Sequence, residues 1–350
     1  YGGNENSINK SSISNGYSSI SNAIWVVPIK SMSSFGMSLS PYADQRIALI
    51  DQDTSNFQVF DTTYNYTRSF DRSGGILSFK IGTSYKVNKN IDFGYYYGIL
   101  FGSSRKHESI SFDGSAIIQS DRIRYNGILN DIFLTLSIRE NIKVFSQYTH
   151  TVKPLEGALE QKHLFDDLNG NGYHDYSPPY YDFPYPDSVE AFTEIRIKDL
   201  HAPTGYKLGI SKIINSASAL ALELGSSRDN SKNISVLSTP INNWIYETNS
   251  MKASFSHYPN DLSLRFFDKL SFRTGIVYYE HSLKNNQSSI TEIGYSLGLG
   301  FKFKPVGNQI DINYYIGNRE HTGIEQKELI QQIQLGVSLA DIWFVKRRQK

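Results

Sequence analysis

The stretch Ile293-Gly-Tyr-Ser-Leu-Gly-Leu-Gly-Phe-Lys-Phe-Lys304 alternates strictly between two kinds of residue. The odd positions are all apolar or aromatic, and the even positions are Gly, Ser or Lys. Successive side chains of a β-strand point to opposite faces, so this pattern predicts a strand with one apolar face and one small or charged face. The same alternation recurs at 77–86, 91–102, 310–317 and 333–340.

Alternation alone fits both a soluble β-sandwich and a membrane barrel. Two features favour the barrel. The alternating runs extend over about ten positions or more, whereas strands of soluble proteins average about five or six residues. Short connections such as 87–90 and 305–308 also largely alternate with long ones such as 103–123 and 152–204, as turns and loops do in outer-membrane barrels.

The sequence therefore predicts an all-β protein, a transmembrane antiparallel β-barrel of about fourteen strands in the bacterial outer membrane. The barrel is expected to occupy residues 20–345, with a long loop at about 154–203. Residues 1–19 are rich in Ser and Asn and are interpreted as a separate N-terminal segment, and 346–350 as a basic tail. The predicted strands are 20–29, 33–40, 57–70, 75–86, 91–102, 124–139, 142–153, 204–214, 219–227, 246–257, 269–282, 291–304, 309–318 and 328–340.

Composition excludes several other classes of protein. The 350 residues carry a formal net charge of +1, so no bulk charge would attract nucleic acid, and no nucleic-acid partner is expected. The absence of cysteine excludes disulfides, zinc–thiolate sites and cysteine nucleophiles. The chain contains 24 Tyr and 20 Phe, rings that suit the interfaces of a lipid bilayer, its expected surrounding.

The C-terminal half resembles the FadL-like outer membrane transport family. The resemblance is carried by Leu200-His-Ala-Pro203, Phe272-Arg-Thr-Gly-Ile276, Ile312-Asn-Tyr-Tyr-Ile-Gly317 and the end of the chain, Leu335-Gly-Val-Ser-Leu-Ala-Asp-Ile-Trp-Phe-Val-Lys346. It implies a fourteen-stranded barrel that passes hydrophobic molecules, such as long-chain fatty acids, through a lumen plugged by an N-terminal hatch. Residues 1–19 are short for a hatch and contain no hatch motif, so either they are the remnant of one or this barrel works differently. Other relatives use the same barrel as attachment subunits of a secretion system.

The predicted barrel and its family resemblance suggest two different functions, transport and protein binding. The first is uptake of hydrophobic small molecules, and the alternative is a structural barrel that binds a protein partner without transport. Apolar or aromatic residues at inward positions support the first, because a water-filled porin lumen carries mostly polar groups there. The predicted ligand-lining residues are Tyr96, Leu100, Leu129, Phe133, Val277, Tyr279 and Tyr315.

One loop has the spacing of a calcium site. In Asp167-Leu-Asn-Gly-Asn-Gly-Tyr-His-Asp175, oxygen-bearing side chains fall at positions 1, 3, 5 and 9 with Gly172 at position 6, as in a calcium-binding loop. Position 12 is Pro178 rather than Glu, so the pattern is incomplete, and an ordinary turn-rich loop remains the alternative. Asp167, Asn169, Asn171 and Asp175 are the predicted ligands of a calcium ion.

Catalytic patterns are weak. The sequence contains no Gly-x-Ser-x-Gly elbow and no phosphate-binding glycine loop. Outer-membrane lipases place Ser and His on barrel strands, but His150, His257 and His281 are interpreted as residues that face solvent or the membrane interface. We therefore expect no enzyme activity, no catalytic residues and no cofactor apart from calcium.

Overall fold

The computed structural model describes most of the chain. The described residues are 2–8, 11–17, 22–30, 32–45, 47–50, 55–59, 62–112, 115–161, 164–171, 174–184, 193–215, 217–234, 244–259, 263, 265–284, 288–303, 308–322 and 326–338. Within them, no helix has the length and hydropathy needed to cross a membrane.

The described residues form strands in nearly every segment. The strands are β1 Gly2–Ile8, β2 Ser11–Tyr17, β3 Ala23–Lys30, β4 Ser33–Asp44, β5 Ile47–Ile50, β6 Ser55–Val59, β7 Thr62–Lys86, β8 Ile91–Phe112, β9 Ser115–Arg139, β10 Ile142–Gln161, β11 Phe165–Asp167, β12 Tyr176–Ser177, β13 Tyr180–Tyr181, β14 Thr193–His201, β15 Pro203–Asn215, β16 Ser218–Asp229, β17 Ile245–His257, β18 Leu270–Leu283, β19 Ser289–Lys302, β20 Gln309–His321 and β21 Gln326–Ser338. A short 3-10 helix, Phe267–Lys269, precedes β18.

All strands except the small β12–β13 pair belong to one sheet. The long strands pair antiparallel in the order β3, β4, β7, β8, β9, β10, β15 and then one after another to β21, and β21 pairs with β1 over Gly2–Ile8. The first and last strands of the sheet thus meet, as in a barrel. The described strands of this sheet number 19, more than the predicted fourteen, in part because β5, β6 and β11 are short segments that pair beside longer strands. The predicted all-β outer-membrane barrel is confirmed.

One pair of predicted strands is a single strand. The sequence predicts two strands, 57–70 and 75–86, but β7 runs unbroken from Thr62 to Lys86. Gly74 has φ +98° and a Cβ there would lie 2.3 Å from the carbonyl oxygen of Ser103. The glycine therefore permits a local twist and a close strand contact rather than a turn. Across from β7, the strands β4, β5 and β6 pair with it in succession, where a loose connection at 41–56 was expected.

The N-terminal segment is part of the sheet. Residues 1–19 were expected to lie outside the barrel, but β1 and β2 lie within this stretch and pair with each other, and β1 also pairs with β21. Their Ser- and Asn-rich sequence gives no alternation signal, because the ladder is formed by backbone groups that every residue carries.

The long loop expected at 154–203 is shorter and more structured. The strand β10 continues to Gln161 and pairs with β14, and β11 pairs with β9. The tail 346–350 lies outside the described residues.

The two faces of the C-terminal strands follow the alternation. Leu297, Leu299, Ile312 and Leu335 are about half exposed, as side chains that face lipid should be, while Gly298 and Gly300 are buried. Phe301, which shares the outer face, is half-buried because the ring of Phe266 packs against it at 5.1 Å.

One side of the barrel is much taller than the other. The strands β7 to β10 contain 20–25 residues, whereas β15 to β21 contain 12–14. At about 3.3 Å per residue, the longer strands rise roughly 30 Å farther along the strand direction. The extension lies on the side of the long loops, because the short turns 87–90 and 140–141 lie at the other end.

Candidate ligand site in the barrel lumen

A cavity of about 400 Å³ lies against β3, β4, β7, β8 and β9. Tyr96 and Phe133 line it, with their rings edge-to-face at a centroid distance of 5.6 Å. Ile24 and Val26 line it from β3 and share a face with their register partners Ser38 and Gly36. The wall is therefore mainly apolar, as in most sites for small organic ligands.

The cavity lies in the half of the barrel that carries the short turns. Ser84, Asp92 and Thr135 line it, and each lies within six residues of a turn at 87–90 or 140–141. The hydroxyls of Ser84 and Thr135 and the carboxylate of Asp92 give this end of the cavity its hydrogen-bonding groups.

An ion pair lies farther up the same wall. Nζ of Lys80, which also lines the cavity, is 2.6 Å from Oδ2 of Asp131. Asp131 is 1% exposed, and its other oxygen accepts hydrogen bonds from Thr149 at 2.5 Å and from Gln147 at 3.2 Å. A buried carboxylate needs such partners, since an unpaired charge in the interior is costly.

Beyond the ion pair, packed apolar side chains fill part of the lumen. This lumen cluster consists of Ile76, Leu100, Ile123, Tyr125, Leu129, Leu155 and Leu200. Its packing is close: a Cβ on Gly157 would lie 2.6 Å from Cδ1 of Leu200. Two predicted ligand-lining residues, Leu100 and Leu129, belong to this cluster and are 1% and 3% exposed.

The opposite wall of the lumen is polar and charged. The hydroxyl of Tyr315 donates a hydrogen bond to Glu292, and Arg319 bridges Glu292 at 2.8 Å and Glu328 at 3.2 Å. Lys252 lies 5.7 Å from the ring centroid of Tyr279. Tyr279, Tyr315 and their neighbour Val277 therefore lie on a different wall from the cavity that Tyr96 and Phe133 line.

A hydrogen-bonded chain links strands near the rim on the long-loop side. The hydroxyl of Tyr42 lies 3.0 Å from Nε2 of His201, whose Nδ1 lies 2.7 Å from Oδ2 of Asp229. The other oxygen of Asp229 accepts bonds from the backbone N–H groups of Ala202 and Ser231. Tyr42 also packs against the lumen cluster, so the chain fixes the end of β4 to the β14–β15 corner.

The four predicted calcium ligands converge in one loop. The amides of Asn169 and Asn171 lie 2.5 and 2.8 Å from Oδ2 of Asp175, and the backbone N–H of Asn171 donates to Asp167. Asp182, which the spacing did not reveal, is fully buried and accepts the backbone N–H groups of Leu168 and Asp175.

The acidic groups alone do not form a metal cluster. Among the described residues, no three His, Asp or Glu side chains are grouped as metal ligands would be. A calcium ion in this loop would therefore depend on the carbonyl oxygens of Asn169 and Asn171 as well. Calcium binding stays a prediction.

Sequence reasoning missed part of the cavity. Ile24 and Val26 lie in the run Ala23–Ile29, where every position is apolar and alternation gives no face. Asp131 lies two residues from both Leu129 and Phe133 and therefore shares their inward face, so the alternation predicts that it faces the lumen. The alternation does not predict that it pairs with Lys80.

The fold and the lumen define an outer-membrane β-barrel of the FadL type, and the protein is located in the bacterial outer membrane. The chain belongs to the BamG family, whose family model matches residues 4–350. No curated protein sequence matches the chain.

Solved structures support the same fold. A FadL homologue of Pseudomonas aeruginosa is 12% identical with a TM-score of 0.54, over 90% of this chain and 77% of that one. The toluene transporter TodX of P. putida is 13% identical with a TM-score of 0.53, over 95% of this chain and 85% of that one. A deltaS2S3 mutant of TodX, described as a monoaromatic hydrocarbon channel, is 12% identical with a TM-score of 0.55, over 97% of this chain and 88% of that one. The resemblance in fold that the sequence indicates is confirmed.

Proposed function

We propose that this barrel binds hydrophobic small molecules in its lumen cavity and passes them across the outer membrane. The observation that carries the proposal is the cavity itself, of about 400 Å³ and largely apolar, inside a membrane-spanning barrel. Ligand pockets commonly have volumes of about 300–1,000 Å³ with a few polar groups among apolar ones. Structural neighbours described as a toluene transporter and a monoaromatic hydrocarbon channel add support. Long-chain fatty acids are the ligand that the sequence resemblance suggests.

Uptake by whole cells tests the proposal. Cells that carry the barrel are given a labelled hydrophobic compound, and uptake is compared with that of cells without it. Phe133→Arg places a charge in the cavity and should reduce uptake to the background level. Ser254→Arg is the matched control, because Ser254 is an exposed lumen-side residue of β17, away from the cavity. Equal uptake with and without the unmodified barrel would overturn the proposal.

A second function is a barrel that binds a protein partner without transport. Two observations favour it. The side chains of the lumen cluster fill part of the lumen on the long-loop side. The strands β7 to β10 also extend beyond the other strands on that side and form a tall wall. In addition, the BamG family is distinct from the family of the transporters. A folded barrel at the cell surface that supports no uptake of any hydrophobic compound tested would place this function first.

A further inference from the structure

The cavity has no unpaired positive charge among its described lining residues that could bind an anionic ligand. Among the residues that line the cavity, the charged ones are Lys80 and Asp92. The charge of Lys80 is already matched by Asp131 at 2.6 Å. Asp131 in turn is held by Thr149 and Gln147, so the pair is fixed on both sides. Lys80 is therefore not a free cation that could bind the carboxylate of a ligand.

Asp92, the other charged residue of the cavity, has no cationic partner of this kind in the described structure. Its register partners are Lys86 on β7 and Thr135 on β9. Within the described part of the chain, no Lys, Arg or His nitrogen lies within 4.0 Å of its carboxylate, that of Lys86 included. The cavity thus carries one matched ion pair and one unmatched negative charge.

We infer that the cavity selects uncharged hydrophobic molecules that carry a hydroxyl group, and that it disfavours carboxylates such as fatty acid anions. This inference rests on the proposed function and narrows its ligand class. A ligand hydroxyl can donate to Asp92 and bond to the hydroxyls of Ser84 and Thr135, while the apolar body contacts Tyr96 and Phe133. A ligand carboxylate in the same place would face the like charge of Asp92 at close range, and the two charges would repel each other.

The test compares two ligands that differ only at one end, 1-dodecanol and dodecanoate. Their affinities for the purified barrel in lipid nanodiscs are measured at neutral pH, and partitioning into empty nanodiscs is subtracted. The alcohol should bind about tenfold more tightly than the carboxylate, as expected for one like charge at close range in a partly solvated site.

Two variants examine the role of Asp92. Asp92→Asn should strengthen dodecanoate binding by a similar factor and leave the alcohol nearly unchanged, while Asp92→Glu should keep the discrimination. Dodecanoate that binds as tightly as the alcohol, or a ratio that Asp92→Asn does not alter, would overturn the inference alone. If neither compound binds, the proposed function fails, and the inference fails with it.

Discussion

The hydroxyl of Tyr42 lies 3.0 Å from Nε2 of His201, across 159 positions of the chain. This contact joins the end of β4 to the β14–β15 corner, and Asp229 holds the other nitrogen of the same imidazole. The strand β4 pairs with neither β14, β15 nor β16, so the contact between Tyr42 and His201 spans the lumen beside the packed cluster.

Removal of the Tyr42 hydroxyl should destabilise the barrel. Tyr42→Phe keeps the ring but leaves Nε2 of His201 without this partner, which should cost about 1–2 kcal/mol of unfolding free energy. Denaturant unfolding in lipid vesicles measures the change. Tyr206→Phe is the control, since Tyr206 lies on the exposed outer face of β15 and should show no effect. Equal losses for the two variants would contradict the role of the contact.

The ion pair between Lys80 and Asp131 should contribute to the stability of the barrel, because the carboxylate of Asp131 is buried. Asp131→Ala removes the carboxylate that Lys80, Gln147 and Thr149 share and should destabilise the barrel by about 2–3 kcal/mol. The double variant Lys80→Met/Asp131→Ala should regain part of that loss, because no charge is left unpaired. A double-mutant cycle of unfolding free energies measures the coupling, and strictly additive losses would rule it out.

A charge on the outer face should impair insertion far more than one in the lumen. Leu299→Arg places a cation among side chains that face lipid, at a cost of about 2–4 kcal/mol near the midplane, whereas a wet lumen tolerates Ser296→Arg. Folding into lipid vesicles, followed by the shift of the folded form in electrophoresis, compares the two variants. Similar yields would refute the assignment of faces.

The loop of Asp167 and Asp175 is expected to bind calcium. Calorimetry on the purified barrel should show calcium binding that Asp167→Ala abolishes and that Asp92→Asn, a lumen change far from the loop, leaves intact. Chelation should also make the loop more sensitive to protease. No heat at about millimolar calcium, the weak end of natural sites, would leave only the role of a hydrogen-bonded turn.

The sequence predicts the barrel where one face meets lipid. In β18 to β21 the contrast between lipid and lumen appears at every second residue, and the strand positions agree closely with the pattern. The strand β8 begins where the pattern predicts but continues to Phe112, into the long connection expected at 103–123. The prediction fails where pairing depends on backbone alone. Residues 71–74 were left between two predicted strands, and Gly2–Ile8 has no apolar face, yet both segments are paired strands.

From the sequence we could predict which residues face the lumen, but not which of them line the ligand cavity. Tyr96 and Leu100 are four residues apart on one strand, so the alternation places both on the inner face of the barrel. Whether such a residue lines a cavity or packs into a cluster depends on what lies across from it, and that is set by distant partners. Leu100 meets Leu155 and Leu200 in the lumen cluster, whereas Tyr96 faces Phe133 and the open space beside it.

The pairing of Gly3 with Ile333 places the closing seam of the barrel at the greatest sequence separation in the sheet. Most other ladders join neighbouring hairpins and can form as soon as a short segment is available. The seam needs both ends of the sheet, and its chain-entropy cost must be met before its hydrogen bonds form. Until then β1 and β21 are open edges, which hydrocarbon does not tolerate. The barrel therefore depends on a late, long-range step of folding, during which these two edges must be shielded from lipid and from other chains.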